Sequence, residues 1–233
     1  MPGMPGMPVM PGMSADALRC SELYRFFRAG DEETLALRGV SLRVGRGETV
    51  AVVGPSGSGK STLLGCLSGL DEPAGGFVTV GGEQISHRPE AVRARIRSRR
   101  LGILLQSGNL LAHLTIRDNI RLAQAAAGSK ASRSPDRLLD EVGLTERARA
   151  VPPELSGGEL ARAGLAVALS NDPDVLLADE PTGELDGRTE QLVLELIRSR
   201  ATAGQGVLVV THSSQVMKIA DRVIHLQDGR ISA

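Results

Sequence analysis

Aromatic residues are scarce in this chain: its 233 residues include no tryptophan, one tyrosine and three phenylalanines. Few side chains are therefore available to stack on the bases of a nucleic-acid strand. Basic and acidic residues both number 27, so no net charge attracts the chain to nucleic acid or to an anionic membrane. We expect no nucleic-acid partner.

Cysteine and long apolar runs are also sparse. Cys20 and Cys66 stand alone, without a Cys-x-x-Cys pattern, which favours buried free thiols over a disulfide or a metal site. No run approaches the roughly 18 to 20 apolar residues of a membrane helix, and no secretory signal is recognisable. We therefore expect a cytoplasmic protein, whose 41% hydrophobic residues suffice for a substantial core.

A glycine-rich turn follows the apolar run 49–53 and precedes the apolar segment 63–70. It has the pattern G-x-x-x-x-G-K-[ST], in which glycines let backbone N–H groups and a helix N-terminus surround phosphate oxygens. Lys60 is expected to reach the β- and γ-phosphates, and Ser61 to bind magnesium. A flexible turn is the plain alternative among 28 glycines, but lysine occurs only at positions 60, 130 and 218. The predicted nucleotide cradle comprises Gly54, Pro55, Ser56, Gly57, Ser58, Gly59, Lys60, Ser61 and Thr62.

Two further apolar runs, 175–178 and 207–210, have the composition of strands buried on both faces. Helical patterns separate them, which predicts an α/β fold with a parallel sheet covered on both sides. Short apolar runs and glycine turns between residues 18 and 53 predict antiparallel strands before the cradle. The carboxyl ends of parallel strands are where such folds bind ligands, and the cradle, Asp179-Glu180 and His212 would all lie there.

Two carboxylates beside a phosphate cradle require different roles. Asp179 is expected to hold magnesium through a water molecule, and Glu180 to polarise the water that attacks the γ-phosphate. His212 could contact both the γ-phosphate and that water. The plain alternatives are an acidic strand end that faces solvent and a structural histidine. On the cradle alone, a kinase, a GTPase and a motor are equally open.

A second glycine turn, with the sequence L-S-G-G-E at residues 155–159, opens a predicted helix and is a second anion site by the same reasoning. This turn resembles the signature motif of the ATP-binding cassette (ABC) family. The resemblance extends from about Leu18 to Ser232, with the motifs in the family's order. It implies a P-loop NTPase (RecA-like) parallel core, an N-terminal antiparallel β subdomain and an inserted α-helical subdomain.

The resemblance also implies site residues and ligands. Gln106 matches the Q-loop and would assist catalysis and magnesium binding, together with the catalytic residues Glu180, His212 and Lys60. Two cassettes of the family dimerise head to tail, so each ATP lies between the cradle of one copy and the second glycine turn of the other. ATP, Mg²⁺ and a second copy of the chain are therefore expected. The residues implied to contact ATP from the opposing copy are Ser156, Gly157, Gly158, Glu159 and the D-loop residue Asp186.

Three stretches, 69–73, 110–115 and 177–183, are similar to the lipoprotein-release, macrolide-export and cell-division cassettes. Members of that branch pair with a separately encoded integral membrane permease. The implied function is ATP hydrolysis that drives such a permease, for export or envelope-directed work, at the inner face of the cell membrane. A soluble ABC ATPase without a transport function is the alternative.

Several positions depart from the family pattern. Glu159 stands where glutamine is usual, Val167 where arginine is common, and Leu105 where an aromatic residue is frequent. Phe27 takes the place of the aromatic residue that stacks on adenine, with Tyr24 as a near alternative.

The chain is predicted to divide into a tail and a domain. Residues 1–15 repeat Met, Pro and Gly and are predicted to be disordered. Residues 16–233 are predicted to form the ATPase domain, with a helical subdomain at about 107–168. Arg93, Arg97 and Arg100 fall at helical spacing and are interpreted as a solvated face, with contact to a permease or to nucleic acid as the alternative.

Overall fold

The structure is a computed structural model, and it describes residues 16–29, 32–128, 133–183 and 185–232. Its strands are β1 (Leu18–Ala29), β2 (Glu32–Val44), β3 (Thr49–Val53), β4 (Gly75–Val80), β5 (Glu83–Gln84), β6 (Leu101–Leu104), β7 (Val175–Asp179), β8 (Gly206–Val210), β9 (Arg222–Gln227) and β10 (Arg230–Ser232). Its helices are α1 (Lys60–Leu67), α2 (Glu90–Arg100), α3 (Ile116–Ala127), α4 (Pro135–Glu141), α5 (Gly157–Ala168), α6 (Gly187–Thr202) and α7 (Ser214–Ile219). Short 3-10 turns lie at Thr145–Arg147 and Pro152–Glu154.

The described strands form two sheets. A six-stranded sheet has the order β10-β9-β3-β8-β7-β6, and its strands from β9 to β6 are parallel. A four-stranded antiparallel sheet has the order β2-β1-β4-β5. The predicted fold class is thus confirmed. Strands β9 and β10 were missed by the sequence prediction because their side chains are mostly half-buried or exposed and form no continuous apolar run.

The parallel sheet is buried on both faces, and its sequence shows why. Leu177 and Leu208 pack into a core shared with α1 and the antiparallel sheet. Their neighbours Leu176 and Val209 face the opposite core, beneath α5 and α6. Because successive strand residues point to opposite faces, a strand covered on both sides must be apolar at every position.

Helices α3, α4 and α5 pack around a separate apolar cluster that includes Ile120, Leu139 and Ala163. The helices predicted at 90–100, 115–127, 136–142 and 158–169 lie within one residue of the observed bounds. The division of the chain into a tail, a domain and a helical subdomain stays a prediction, and residues 1–15 lie outside the described residues.

Both cysteines are free and buried, and burial raises the pKa of each thiol to about 12.

Three of the arginines of α2 do not form the solvated face that their spacing suggested. The Arg93 guanidinium lies 2.9 Å from the Glu72 carboxylate, and the Arg100 guanidinium lies 2.8 Å from that of Asp174. Arg97 pairs with Glu90 and donates to the backbone at Gly69. These arginines therefore tie α2 to the surrounding loops, since their acidic partners come mostly from distant parts of the sequence.

Candidate nucleotide site

The cradle is the turn between β3 and α1. Gly59 precedes the helix with a φ of 103°, and a Cβ there would lie 2.6 Å from the carbonyl oxygen of Ala36, so only glycine fits. Lys60 is the first residue of α1 and is 9% exposed. Its Nζ donates to the carbonyl oxygens of Gly54 at 2.8 Å and Pro55 at 2.9 Å. The ammonium group is therefore folded over the backbone of the turn.

Asp179 ends β7 beside the cradle. The Ser61 hydroxyl donates to its Oδ2 at 3.4 Å. Burial raises the pKa of the Asp179 carboxyl, and the negative charge of Glu180 raises it further, while Ser61 and Lys60 act in the opposite direction. Two oxygen donors of the type that magnesium prefers, a carboxylate and a hydroxyl, thus face one another at the edge of the cradle.

Glu180 follows Asp179 with a φ of 46°, a left-handed conformation that is uncommon outside glycine. Its Oε2 accepts from the Thr211 hydroxyl at 3.1 Å and from the backbone N–H of His212 at 3.2 Å. His212 Nε2 lies 3.7 Å from Glu180 Oε1. The structure therefore brings the two strand ends predicted from sequence into contact, through a threonine that the sequence reasoning did not single out.

Gln106 is exposed and lies two residues beyond β6. The side-chain amide of Asn109 binds both backbone groups of the preceding residue, Leu105. The Leu105 N–H donates to Asn109 Oδ1 at 2.7 Å, and the Leu105 carbonyl accepts from Asn109 Nδ2 at 2.6 Å. Sequence reasoning missed Asn109. The sequence feature that could have pointed to it is the position of an asparagine three residues after Gln106.

Phe27 lies at the rim of the cradle, 42% exposed. The guanidinium of Arg25 lies over one face of its ring, 4.9 Å from the centroid, a cation–π geometry. Tyr24 instead packs against Gly39: a Cβ added at Gly39 would lie 2.9 Å from the Tyr24 hydroxyl. Of the two candidate aromatic residues, Phe27 lines the cleft and Tyr24 does not.

The second glycine turn begins α5 in a capping box. The Ser156 hydroxyl accepts from the backbone N–H of Glu159 at 3.3 Å, and Glu159 Oε2 accepts from the Ser156 N–H at 2.9 Å. Glu159 Oε1 accepts from Arg147 Nε at 2.9 Å. The Ser156 backbone and Arg147 hold the pKa of the Glu159 carboxyl below its usual range. The residue that departs from the family pattern therefore completes the cap as a carboxylate.

Asp186 caps α6 in a similar way. Its carboxylate accepts from the backbone N–H groups of Arg188 and Thr189 and from the Thr189 hydroxyl. Thr189 also packs on the second glycine turn, because a Cβ on Gly158 would lie 2.7 Å from Thr189 Cγ2. The starts of α5 and α6 are thus in close contact.

Most of the predicted site residues line one of two depressions of the surface. A cleft of about 1180 Å³ is lined by Phe27, Ser56, Gly57, Gly59, Lys60, Ser61, Thr62, Gln106, Gly157, Asp179, Glu180 and His212, among others. A hollow of about 320 Å³ is lined by Ser156, Gly157, Gly158, Glu159 and Asp186, together with Arg162, Leu185 and Thr189. Gly54, Pro55 and Ser58 line neither. Gly157 lines both.

A phosphate cradle on a parallel sheet, with an acidic pair and a histidine at the neighbouring strand ends, defines a P-loop nucleoside triphosphatase. The family model described as ABC transporter matches residues 37–183. The chain belongs to this family.

Similar proteins and solved structures support the same family membership. An ABC transporter ATP-binding protein of Thermotoga maritima, described as uncharacterized, is 42% identical over 90% of this chain and 91% of its own length. The lipoprotein-releasing system ATP-binding protein LolD of Pseudomonas fluorescens is 42% identical over 93% of this chain and 97% of its own length. The macrolide export ATP-binding/permease protein MacB of Burkholderia pseudomallei is 40% identical over 94% of this chain, which spans only 34% of that protein.

Among solved structures, a dimeric post-hydrolysis state of the ATP-binding cassette MJ0796, bound to ADP and Pi, has a TM-score of 0.86 and 31% identity. The match covers 93% of this chain and 97% of the MJ0796 chain. The predicted family and ATPase activity are confirmed: the chain is an ATP-binding, ATP-hydrolysing subunit of the ABC transporter family. None of the helices within the described residues combines the length and apolar character needed to cross a bilayer.

Proposed function

We propose that this chain is the ATPase subunit that drives an integral membrane permease, in export or envelope-directed work, and that it acts as a dimer. The observation that carries the proposal is the single cleft in which Lys60, Asp179, Glu180 and His212 converge. Such a cleft places positive charge, a metal ligand and a base around one triphosphate.

The proposed chemistry assigns each side chain a task. Lys60 exchanges its two carbonyl partners for the β- and γ-phosphate oxygens of ATP. Glu180 orients the attacking water and accepts its proton, and His212 contacts the γ-phosphate from the adjoining strand end. Phe27 stacks on adenine with the ring face that Arg25 leaves open.

Magnesium fits the oxygen donors that lie at the cradle. Ser61 and Asp179 are within hydrogen-bond distance of each other, and Gln106 lines the same cleft. We propose that these three residues would hold the ion. When bound, Mg²⁺ would supply positive charge that offsets the charge of the phosphate oxygens.

The dimer is proposed because the second glycine turn is largely separate from the cradle within one copy. Ser156 and Glu159 line the hollow beside Asp186, whereas only Gly157 of that turn reaches the cleft. The dimeric state of MJ0796, which is similar to this chain, supports an arrangement in which two copies share each ATP.

The permease and the cellular site are proposed from the relatives. LolD is named for lipoprotein release, and MacB joins an ATP-binding part to a permease in one chain. We propose that residues 16–233, with a helical subdomain at about 107–168, form the ATPase domain. It would bind the inner face of the cell membrane through the permease.

The Glu180→Gln variant tests this proposal. The amide keeps the shape of the side chain but accepts no proton, so hydrolysis should fall by about a hundredfold or more while ATP binding persists. The purified variant should therefore accumulate as an ATP-dependent dimer, measured by size-exclusion chromatography with light scattering. A variant that hydrolyses ATP like the wild type, or that stays monomeric with saturating ATP, would contradict the proposed site or the shared arrangement.

A further inference from the structure

Thr211 lies between the strand of the cradle and the strand of the catalytic carboxylate. It follows β8 directly and is fully buried. Its backbone N–H donates to the carbonyl oxygen of Val52 in β3 at 3.1 Å. Glu180 in turn donates its backbone N–H to the carbonyl oxygen of Val210, the residue before Thr211, at 2.9 Å. Thr211 is therefore fixed relative to both the cradle and Glu180.

The direction of the Thr211 hydroxyl follows from its two partners. The backbone N–H of Ser213 donates to Thr211 Oγ1 at 2.9 Å, so that oxygen acts there as an acceptor. Glu180 Oε2 lies 3.1 Å away on the other side and accepts the hydrogen bond of that hydroxyl. The hydroxyl proton must then point at Glu180. Ser213 itself is held by Glu190, whose Oε1 accepts from the Ser213 hydroxyl at 3.0 Å.

The two oxygens of Glu180 consequently have different environments. Oε2 is occupied by the Thr211 hydroxyl and the His212 N–H, whereas Oε1 is the oxygen nearer His212 Nε2, at 3.7 Å. We propose that Thr211 is a positioning residue, whose hydroxyl holds Oε2 so that Oε1 is presented to the attacking water. This inference rests on the proposed role of Glu180 as the base.

The test compares variants that separate the hydroxyl from the shape of the side chain. Thr211→Val keeps the branched shape and loses the donor, and a hydrogen bond to a charged group is typically strong enough that kcat should fall about tenfold to a hundredfold. The KM for ATP should stay within about twofold, because Thr211 is fully buried and does not line the cleft. Thr211→Ser keeps the donor and should have a kcat at least about fivefold above that of the valine variant. Thr202→Val, on the exposed side of α6, controls for the same exchange far from the cleft.

A second readout does not depend on turnover. Since the valine variant binds ATP but hydrolyses it slowly, it should accumulate more ATP-dependent dimer than the wild type, whereas a merely disrupted site would form less. In the Glu180→Gln background, adding Thr211→Val should change kcat by less than about twofold, because the positioned carboxylate is already gone.

Each outcome decides the inference. Equal losses of kcat in the valine and serine variants would assign the effect to packing and overturn it, as would a valine variant with the kcat of the wild type. If thermal unfolding shows that the valine variant does not fold, Thr211→Ala against Thr211→Ser gives the same comparison. Undiminished hydrolysis in Glu180→Gln would instead overturn the proposed function, which keeps the two failures distinguishable.

Discussion

Asp179 is a single residue whose proposed role in metal binding lowers the stability of the folded chain. It is half-buried and is followed by a second carboxylate, and burial and the charge of Glu180 both raise its pKa. A carboxyl whose pKa is higher in the folded chain than in the unfolded chain destabilises the fold when it ionises. We attribute the presence of a carboxylate at this destabilising position to the metal ion that Asp179 would bind.

The Asp179→Asn variant should consequently be more stable than the wild type at neutral pH, when nucleotide and Mg²⁺ are absent. The contribution of the protonated carboxyl to wild-type stability is fully present below the unfolded pKa and is lost as the pH rises through the raised folded pKa. The difference in Tm should therefore be largest at neutral pH and shrink as the pH is lowered through the acidic range. Calorimetry at several pH values measures it.

A matched control is Asp140→Asn, at an exposed position of α4. This exchange should move Tm by no more than about 1 °C at neutral pH. If Asp179→Asn were less stable than the wild type at neutral pH, the carboxylate would be stabilising the apo fold, and the account given for Asp179 would be wrong.

At the scale of elements, the starts of α5 and α6 form one packed unit. Gly158 and Thr189 touch so closely that no side chain fits between them. The Thr189 hydroxyl is held by Asp186 at 2.8 Å, so the threonine is not free to rotate away. The second glycine turn is therefore fixed against the helix that Asp186 caps.

This contact predicts different results for two adjacent glycines. Gly158→Ala would place its Cβ 2.7 Å from Thr189 Cγ2, and such overpacking should lower the free energy of unfolding by about 1 to 3 kcal/mol. Gly157→Ala meets nothing within 4 Å and should leave the free energy of unfolding unchanged or slightly higher, since alanine favours helix. Chemical denaturation of the two variants measures the difference.

Removing the methyl group provides the control. Thr189→Ser keeps the hydroxyl for Asp186 and should restore much of the stability of Gly158→Ala. Equal stability of the two alanine variants would show that α6 yields to the new side chain, and that the two helix starts are not rigidly packed.

The elements also show how much the sequence could reveal. The buried strands β7 and β8 and helices α2, α3, α4 and α5 were predictable because their apolar patterns are local. The cradle was predictable because its backbone geometry dictates glycine and lysine at fixed spacing. The ion pairs of Arg93 with Glu72 and of Arg100 with Asp174, the Asn109 bonds to Leu105 and the Thr211 bond to Glu180 were not predictable. Their partners meet only through tertiary packing or loop geometry, which no spacing rule encodes.

At the scale of the whole molecule, one chain carries two glycine turns, each predicted to bind phosphate, that face mostly different depressions of its surface. The cradle opens to the larger cleft, and Ser156 opens to the hollow beside Asp186. A single copy would leave each turn with half of the contacts that the resemblance implies. In the proposed dimer, two copies related by a two-fold axis would complete two equivalent sites, because each copy would give its cradle to one site and its second turn to the other.

Mixing two defective variants tests this arrangement. Lys60→Ala removes the phosphate ligand of the cradle, and Ser156→Arg fills the second turn with a bulky cation, so neither variant alone should form an ATP-dependent dimer. A mixed dimer has one site with both defects and one site with neither. A tagged Lys60→Ala chain should therefore capture an untagged Ser156→Arg chain when ATP is present. With wild-type chains at equal concentrations, random association places about half of the chains in mixed pairs, whereas in the variant mixture only mixed pairs can form, so at saturating concentrations the captured amount should not fall below the wild-type amount.

The control must account for the lost helix cap, because Ser156 caps α5 and its replacement can cost about 1 kcal/mol of stability. Ser134→Arg removes the equivalent cap of α4, away from both depressions, and should bind ATP and dimerise like the wild type. If the mixture captured no more than either variant alone, the two turns would have to act within one copy. If Ser156→Arg also failed to bind ATP as a monomer, the turn would belong to its own chain's nucleotide site, since a shared site predicts that the cradle of that variant still binds ATP.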